Sequence, residues 1–570
     1  MQAYLFNKKC DASFGRVPRS PAQLMAAERH RQLGMSLLQS GKFAAAITAL
    51  RRATTLNPED VLAHHALGQA YLHSGHFAEA AVSLQLAVIL KDDLANAHLD
   101  LAAALGALAR DREAVAACRQ AVKLAPQSAR GHHLLGELLE TTGEVEEAAL
   151  SFRLSANCVP ETSESRLDLA RALLLERNVA EAEACLRGAI VLDPGSDELY
   201  RALGDLLAAE GRFDEAVEAC DRALSLNPLQ VPAHLLTVRV KKCTESDRPR
   251  LARMLSTFRR SGVTDAHRLF LHFAIGKMLD DLGDYCGAMR HFDAANKIKS
   301  RSTRFDRAAL VSAVDRRIEQ FTSAFFAANT AFGLNDETPV IIVGMPRSGT
   351  TLLEQIVSSH PMISAGEELF FWFNRARSPG VALATSLTPE AGSRLAQEYV
   401  ALLRRIGPAA ARVTDKQTFN FQQLGLIHLV LPKARIIHCR RNPIDTCLSM
   451  YSTYFKGRLE FVSDKADLGF AYKQYVRIMQ HWREVLPSDR LLEVDYKDLV
   501  ADREMATRRL IDFCGLDWDD NCLQPERNER LVSTASVWQA RQPVFATSLE
   551  RWRRYEPWIG ELRQLLPADR

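Results

Sequence analysis

Residues 344–351 have the spacing of a loop that binds phosphate groups. Gly344 and Gly349 enclose four residues in the pattern G-x-x-x-x-G, and two threonines follow. The β-branched run at 340–343 predicts a buried strand of a parallel sheet, and the run at 352–357 predicts a helix. Glycine lets the backbone come close to a ligand, and a helix start presents free amide groups. The segment is therefore predicted to cradle a tetrahedral anion.

The loop carries its positive charge in an unusual position. Nucleoside triphosphatases place a lysine directly after the second glycine, where this chain has Thr350. Arg347 lies inside the loop instead, and its planar guanidinium suits an oxyanion. The missing lysine and the lack of an obvious carboxylate for magnesium disfavour a kinase-like phosphoryl transferase, which is the main rival among enzymes.

A second anion site is predicted at a later strand. Residues 434–439 have the pattern of a buried strand that ends in Arg440 and Arg441, and the helix predicted from Ile444 carries Ser449. An arginine at a strand end followed by a serine on the next helix can hold an anion. Ligands of an open parallel sheet bind beyond the carboxyl ends of its strands, so both sites are expected on one edge. Two such sites imply a ligand with two separated charged groups.

Ionisable residues also follow two further segments. Glu367 and Glu368 come after Gly366, where they could act as a general base or as acids at a helix start, and the sequence favours neither role. Residues 412–416 predict a short strand that ends in Lys416.

The N-terminal half of the chain repeats itself every 34 residues. A small residue recurs at one position of each unit, and another small residue recurs seven positions later, with Arg177 as the exception. The period, with its order of small, aromatic, alanine and proline positions, resembles the tetratricopeptide repeat. Small residues let the two helices of a unit come close, and proline ends the second helix. The first position holds Gly34, Gly68, Ala102, Gly136, Ala170 and Gly204, and the second holds Gly41, Gly75, Ala109, Gly143, Arg177 and Gly211.

These patterns predict a tetratricopeptide-repeat α-solenoid followed by a P-loop-like parallel-sheet domain. An N-terminal extension is expected at 1–20, the repeat array at 21–300, and an amphipathic helical connector with apolar spacing up to Phe321 at 301–336. The parallel-sheet domain is expected at 337–570. Repeat arrays usually bind proteins or peptides, so the groove is a candidate surface for a protein partner. The binding face and the oligomeric state stay open, and a homodimer is one alternative.

Composition narrows the classes of function. The net charge of +3 gives no argument for nucleic acid as a partner. Eleven cysteines without a C-x-x-C pair predict free thiols in a reducing compartment. No apolar run has the length of a membrane span or a signal peptide, so a cytoplasmic protein is expected. The histidine pairs at 64–65 and 132–133 recur near equivalent repeat positions and are assigned to helix packing or the groove. No metal site is predicted.

From Val340 to Glu368 the sequence resembles the sulfotransferases that use 3′-phosphoadenylyl sulfate (PAPS), and it is most similar to their tyrosylprotein branch. The resemblance continues to the end of the chain. It implies that Arg441 and Ser449, with the family spacing Arg-x7-Ser, bind the 3′-phosphate of PAPS. It also implies that five loop residues bind the 5′-phosphosulfate: Arg347, Ser348, Gly349, Thr350 and Thr351.

The same resemblance implies the catalytic residues. Glu368 matches the family's catalytic base, and Lys416 matches the lysine that stabilises the transferred sulfuryl group. Tyr496, at the end of a predicted strand, resembles the tyrosine near the adenine of the donor. Ser536 and Arg551 occupy positions that contact the donor, and Ser536 is assigned with Glu368 and Lys416 to catalysis. No metal is required, because amides and cationic side chains neutralise the developing charge.

The chain departs from the eukaryotic branch at several positions. Ala365 stands where that branch has cysteine. Leu369 and Phe370 follow the glutamates where that branch has Thr-Arg, and the loss of this arginine, which lies near the acceptor site in that branch, leaves the identity of the acceptor open. Thr453 replaces another arginine just past Ser449, which removes one donor contact.

The sequence thus predicts transfer of a sulfuryl group from PAPS to a hydroxyl group. The expected acceptor is tyrosine in a protein or peptide recruited by the repeat array. The alternatives are sulfation of a carbohydrate or small-molecule hydroxyl, and a repeat scaffold with an inactive sulfotransferase domain. A role for Glu367 in sharing the work of the base is left open.

Overall fold

The computed structural model describes residues 19–301, 304–376, 387–455, 459–528, 530–532, 534, 536–543 and 549–566. All but the last two residues of the predicted extension at 1–20 therefore lie outside the described residues. The chain divides into two compact units, Met1–Glu161 and Thr162–Arg570. This division falls inside the predicted repeat array.

The described part of the first unit consists of four helical hairpins. Glycines bring the two helices of a hairpin together: a β-carbon at Gly34 would lie 2.4 Å from the side chain of Leu50, and one at Gly68 would lie 2.4 Å from that of Leu84. Any larger residue would separate the helices, which explains the small residues of the repeat. The helices are α1 Pro21–Gln39, α2 Phe43–Leu56, α3 Val61–His73, α4 Phe77–Leu90, α5 Ala95–Ala107, α6 Asp111–Leu124, α7 Ala129–Thr142 and α8 Val145–Cys158.

The second unit begins with more repeats of the same kind. A β-carbon at Gly204 would lie 2.7 Å from the sulfur of Cys220, and one at Gly276 would lie 2.6 Å from the ring of Phe292. The spacing between the glycine and its contact is the same as in the first unit, so the hairpin geometry is retained. The helices are α9 Ser163–Leu175, α10 Val179–Leu192, α11 Asp197–Glu210, α12 Phe213–Leu226, α13 Val231–Arg239, α14 Arg248–Thr257, α15 Asp265–Asp281 and α16 Tyr285–Ser300.

The prediction of one connecting helix at 301–336 is wrong. The structure has two helices, α17 Arg307–Gln320 and α18 Ser323–Ala328. Thr322 caps α18 by accepting a hydrogen bond from the Phe325 amide, and Phe321 leaves the helical conformation. Phe321 is buried so tightly that a β-carbon at Gly425 would lie 2.4 Å from its ring. Packing of this ring and the cap residue after it therefore break the helix that the apolar spacing predicts.

A five-stranded parallel sheet follows. Its strands are β1 Pro339–Val343, β2 Ile363–Ala365, β3 Arg412–Asp415, β4 Arg435–Arg440 and β5 Leu491–Asp495. Their order across the sheet is β2-β3-β1-β4-β5. The helices of this region are α19 Thr350–Val357, α20 Phe371–Ala376, α21 Pro389–Ile406, α22 Leu424–Val430, α23 Pro443–Tyr451, α24 Lys465–Val485, α25 Tyr496–Ala501, α26 Arg503–Phe513 and α27 Val537–Ala540. The helical solenoid and the parallel sheet confirm the predicted fold class.

The sheet is buried on both faces, as a continuous apolar strand such as 340–343 predicts. Alternate residues of β1 point to opposite faces: Ile341 packs in the core that includes α21 and α24, and Ile342 packs in the core that includes α19 and α26. The first of these cores is continuous with Phe273 and Phe292 of the last repeat. Helices on both faces leave the strand ends as the open edges of the sheet.

The histidine pairs of the repeats have structural partners. His64 Nε2 lies 3.1 Å from the carbonyl oxygen of Pro58, and His132 Nε2 lies 2.9 Å from that of Pro126. Each histidine thus contacts the residue six positions earlier, before its own helix begins. Over the described residues, no group of three or more His, Cys, Asp or Glu side chains could hold a metal ion. The same residues include no helix of the length and apolarity that a bilayer crossing requires.

Candidate functional site

The carboxyl ends of all five parallel strands meet at one edge of the sheet. The ladder places Ile341 of β1 beside Asp415 of β3 and Ile436 of β4, so the residues after these strands come into one row. Across the sheet, this row contains Glu368 after β2, Lys416 after β3, the 344–349 loop after β1, Arg441 after β4 and Tyr496 after β5. The topology thus brings the predicted site residues of all five strands together.

The loop after β1 packs tightly against its neighbours. Gly349 has φ +110°, and a β-carbon there would lie 2.4 Å from the ring of Tyr496. A β-carbon at Gly344 would lie 2.5 Å from the carbonyl oxygen of Cys439. Arg347, between them, has the left-handed φ of 71°. The two glycines are therefore required by close approach.

The two predicted anion sites meet at Arg347. Its Nε donates a hydrogen bond of 3.1 Å to the Ser449 hydroxyl, and its Nη1 donates to the Ser536 hydroxyl. Arg441 Nη1 donates to the carbonyl oxygen of Arg347 over 3.1 Å. The Arg441 guanidinium also lies 5.2 Å from the ring centroid of Tyr496, as in a cation–π contact. Five residues predicted from distant motifs thus form one connected group.

Positive charge is concentrated around this group. Burial lowers the pKa of Arg347 to about 9, and the charges of Arg441, Arg239 and Arg551 act in the same direction. Burial also lowers the pKa of Arg441. Mutually repelling guanidinium groups in a partly desolvated site favour binding of an anion, which would neutralise them.

Arg239 is a member of this cluster that the sequence analysis missed. It ends helix α13 of the repeat array. Its Nε is shielded from solvent and has no hydrogen-bond partner within the described residues, and burial lowers its pKa. The available signal was an arginine that ends a mostly apolar helix. The repeat array therefore contributes a cation to the site.

Arg551 belongs to the arginine cluster and also forms an ion pair with a residue of the repeats. Its Nη2 lies 2.6 Å from Asp280 Oδ2 on α15. Burial alone would lower the pKa of Arg551, but the carboxylate of Asp280 raises it. The backbone amide of the next residue, Trp552, donates to Asp445 of α23 over 2.9 Å. Trp552 is buried, so the chain at 551–552 belongs to the core as well as lying beside the site.

Hydroxyl groups line the inner wall of the loop. Ser348 is buried, and its Oγ has no hydrogen-bond partner among the residues that the structure describes. Thr350 and Thr351 are buried at the first turn of α19, and Thr351 Oγ1 lies 3.4 Å from Thr534 Oγ1. An orphaned hydroxyl in a loop with free helix-start amides fits an anionic group as the missing partner.

Glu368 and Lys416 form an ion pair at the other end of the row. Their Oε1 and Nζ atoms are 2.8 Å apart, and the side chains are 43% and 1% exposed. Burial alone would lower the pKa of Lys416, but Glu368, Glu354 and Glu367 raise it. The lysine is therefore charged, and it lies beside an accessible carboxylate.

Glu367 has a different environment. Its φ is 62°, and its amide donates to Glu354 Oε1 over 3.1 Å. Its own Oε1 lies 3.4 Å from Arg530 Nη1. The two glutamates lie in a loop before α20 and not at a helix start, so the acids are not explained by a helix dipole.

Glu354 is the second residue that the sequence analysis missed. It is fully buried in α19 and accepts a 2.8 Å hydrogen bond from Thr414. Its other oxygen lies 2.9 Å from Arg530 Nη2. Although burial would raise the pKa of Glu354, Arg530 and Lys416 lower it. A glutamate within an apolar helical run was the signal, and its role is to orient the loop that carries Glu367.

His360 does not occupy the position of a base. Its Nε2 lies 2.9 Å from the carbonyl oxygen of Asp517, and its Nδ1 accepts from the Met362 amide over 3.1 Å. Both ring nitrogens are thus engaged in holding the chain after α19.

The arrangement can bind a ligand with more than one anionic group and remove a proton beside it. The hydroxyl-lined loop and the arginine cluster form the anion-binding part, and the Glu368–Lys416 pair forms the part that can exchange a proton.

Two family models match the chain. The sulfotransferase family model matches residues 339–520. The tetratricopeptide repeat model matches residues 31–96, 99–164 and 167–230. The first match contains the loop after β1, both glutamates, Lys416 and the Arg441–Ser449 pair.

Among known proteins, the chain is similar to an uncharacterised protein of Aquifex aeolicus, with 30% identity over 419 residues, which are 69% of this chain and 53% of that protein. It is also similar to the protein-tyrosine sulfotransferase of Drosophila melanogaster, with 23% identity over 257 residues, 41% of this chain and 46% of that protein. Protein-tyrosine sulfotransferase 1 of Danio rerio is 24% identical over 256 residues, 39% of this chain and 68% of that protein. The chain thus spans about half the length of the first two relatives.

Proposed function

We propose that the protein transfers a sulfuryl group from PAPS to a hydroxyl group. The premise is that a region matching the sulfotransferase family, at 339–520, follows tetratricopeptide repeats. The acceptor in this proposal is tyrosine in a protein or peptide. The observation that carries it is the junction at Arg347, where Ser449 and Arg441 of the second predicted anion site join the loop of the first.

The donor is held at both ends in this proposal. The hydroxyl of Ser348 and the loop amides at Gly349, Thr350 and Thr351 bind the phosphosulfate, with Arg347 as the cation. Arg441 and Ser449 bind the 3′-phosphate, Tyr496 lies against the adenine, and Arg551 adds positive charge. The crowding of guanidinium groups around Arg347 supports a ligand with at least two negative groups.

The chemical step is an in-line displacement at sulfur. The acceptor oxygen forms a bond to sulfur while the bond between sulfur and the bridging phosphate oxygen breaks, and the acceptor proton goes to Glu368. Lys416 and Ser536 stabilise the negative charge that develops on the sulfuryl and bridging oxygens. The products are a sulfate ester and adenosine 3′,5′-bisphosphate. The step needs no metal ion.

Glu368 is the proposed base, with Glu367 in a supporting role. The Glu368 side chain is 43% exposed and contacts Lys416, whereas that of Glu367 is 18% exposed and lies beside Arg530. An acceptor can reach the first carboxylate more easily. Glu367 instead fixes the loop through its backbone, because its carbonyl oxygen accepts from the Lys416 amide over 2.7 Å.

The names of two relatives support tyrosine as the acceptor. We propose that the repeat groove recruits the protein or peptide that contains it, in a cytoplasmic setting. The ten described cysteines are free thiols, which supports a reducing compartment. Sulfation of a carbohydrate or small-molecule hydroxyl is the alternative activity, and an inactive scaffold is the alternative class.

The test is transfer of labelled sulfate from PAPS to a library of tyrosine peptides, with matched peptides that contain phenylalanine in place of tyrosine. The expected result is label in tyrosine peptides alone. Label in an oligosaccharide or phenol panel with none in the peptides would replace tyrosine by the alternative acceptor. Absence of label from every panel would support the inactive scaffold.

A further inference from the structure

Arg177 breaks the repeat pattern at a position that favours glycine. In the six units of the repeat pattern, the turn between the two helices places one residue in the left-handed region, and four of the six units use glycine there. Arg177 has φ 65°, and Ala109 has φ 62°. A side chain in this conformation is strained relative to glycine. An arginine at position 177 is therefore unfavourable for the repeat itself. We expect the arginine to make a compensating contact outside the turn.

The Arg177 side chain extends from the repeat to the start of the loop at 366–370, which carries Glu367 and Glu368. Its Nη1 donates to the carbonyl oxygen of Ala365 over 3.1 Å, and its Nη2 donates to that of Gly366 over 2.9 Å. Ala365 ends β2, which is an edge strand of the sheet formed by the described residues. A planar guanidinium can donate to two successive carbonyl groups at once. Arg177 thus fixes the exposed side of the strand end that precedes Glu367 and Glu368.

The segment that Arg177 holds is conformationally demanding. A β-carbon at Gly366 would lie 2.1 Å from the carbonyl oxygen of Thr414, so the chain presses against β3 here. Glu367 follows in the left-handed region. Such a conformation persists only when surrounding contacts impose it. Further contacts come from Glu354, Thr414 and the Lys416 amide, all within the parallel-sheet domain.

We propose that Arg177 is a positioning residue that makes a repeat turn part of the catalytic machinery, by holding the Ala365–Gly366 backbone so that Glu368 stays at Lys416. The role rests on the proposed function, because it needs Glu368 to act as the base. The repeat array then supports the chemical step in addition to any role in recruiting an acceptor.

Arg177→Gly separates this role from simple folding. Glycine suits the left-handed turn, so the variant is expected to unfold at the same or a higher temperature than the wild type. Hydrogen exchange of the 363–371 segment is nevertheless expected to become several-fold faster. Ala109→Gly makes the same change at an equivalent turn without this contact, and exchange at 363–371 should be unaffected. Unchanged exchange in Arg177→Gly, measured on the full chain, would overturn the proposal.

Turnover gives a second readout. With PAPS and a peptide that the wild type sulfates, Arg177→Gly is expected to lower kcat by about 10–100-fold, since a displacement of a catalytic group by about 1 Å can cost about 10²-fold. The affinity for adenosine 3′,5′-bisphosphate should stay within about twofold of the wild type, because Arg177 lies at the proton-transfer end of the site. A loss of donor affinity equal to the loss of kcat would contradict a positioning role.

Arg177→Lys distinguishes geometry from charge. An ammonium group keeps the positive charge but not the planar fork, so kcat should fall between those of the wild type and the glycine variant. Full activity in the lysine variant would show that charge alone suffices and would overturn the proposal. If the wild type sulfates no acceptor, the proposed function fails, and the exchange measurement still decides whether Arg177 holds the loop.

Discussion

Arg347 is where three distant parts of the chain are joined by single hydrogen bonds. Ser449 and Ser536 accept from two different nitrogens of its guanidinium, and Arg441 donates to its carbonyl oxygen. This geometry depends on a planar donor with a fixed angle between its nitrogens. The residue identity at 347 therefore matters as much as the charge.

The first prediction concerns that identity. Arg347→Lys keeps a cation in the loop but cannot bond both serines in the same geometry, so affinity for adenosine 3′,5′-bisphosphate should fall about tenfold or more. Titration calorimetry measures this directly. Arg412→Lys is the control, because Arg412 begins β3, at the end of the strand away from the site, and contacts Glu337. Equal affinity in Arg347→Lys and the wild type would contradict the role of the junction.

The two glutamates provide the second prediction. Glu368→Gln should lower kcat by about 10²–10⁴-fold while leaving the affinity for adenosine 3′,5′-bisphosphate nearly unchanged, because the amide cannot accept the proton. Glu367→Gln should have a smaller effect, since its loop contacts use backbone atoms. Steady-state turnover and calorimetry of both variants check this. A larger loss of kcat in Glu367→Gln than in Glu368→Gln would reverse the assignment.

Among the secondary-structure elements, β3 ends in a buried carboxylate, Asp415, that is held by hydrogen bonds from two neighbouring side chains. The Asp415 carboxylate accepts from the Tyr399 hydroxyl over 2.8 Å and from Asn420 Nδ2 over 3.0 Å. Asp415 is fully buried, and burial raises its pKa to about 7. Lys416 follows directly, so this network orients the strand end from which the lysine extends.

Asp415 gives the third prediction, a pH dependence. Its pKa is raised from 3.8 in the unfolded chain, so between about pH 4 and pH 7 the folded protein binds more protons than the unfolded one. Its contribution to stability is present below this window and is lost as the pH rises through it. Asp415→Asn cannot ionise. The unfolding temperature of Asp415→Asn minus that of the wild type should therefore increase from pH 5 to pH 8. A difference that stays constant over this range would contradict the raised pKa of Asp415.

The local patterns predicted most elements well. The strand predicted at 434–439 is Arg435–Arg440, and the loop after β1 lies where its glycines indicated. The broken connector was missed, because the packing of Phe321 on Gly425 is a contact across about a hundred residues that periodicity does not contain. Arg239 and Arg177 were missed as site residues for the same reason. The groups on which they act, Arg347 and the Ala365–Gly366 carbonyls, lie far along the chain, and a repeat pattern describes only the contacts within and between neighbouring repeats.

At the scale of the molecule, the last repeats and the parallel sheet share one compact unit. Asp280 of α15 binds Arg551, and the Tyr555 hydroxyl also donates to Asp280. Arg177 and Arg239 extend from the repeats to the loop after β2 and to the arginine cluster. The repeats of this unit are thus structural neighbours of the site.

The fourth prediction tests this link. Asp280→Asn removes the carboxylate that pairs with a largely buried guanidinium, and the free energy of unfolding should fall by about 1–3 kcal/mol. Asp265→Asn, on the same helix, is the control. Its pair with Arg301 is more than half exposed on the arginine side and should contribute less than about 1 kcal/mol. Thermal unfolding of both variants checks the difference, and equal effects would show that the Asp280 pair is not an important link.

In the proposed function, the loop without its lysine and the Arg441–Ser449 pair together bind one donor at two ends. Titration calorimetry with adenosine 3′,5′-bisphosphate, adenosine 5′-monophosphate and ATP with magnesium decides whether they do. The bisphosphate should bind at least about tenfold more tightly than either of the others, and Arg441→Ala with Ser449→Ala should abolish that preference. Tighter binding of magnesium ATP, or a preference that survives both substitutions, would show that the two groups do not bind one donor.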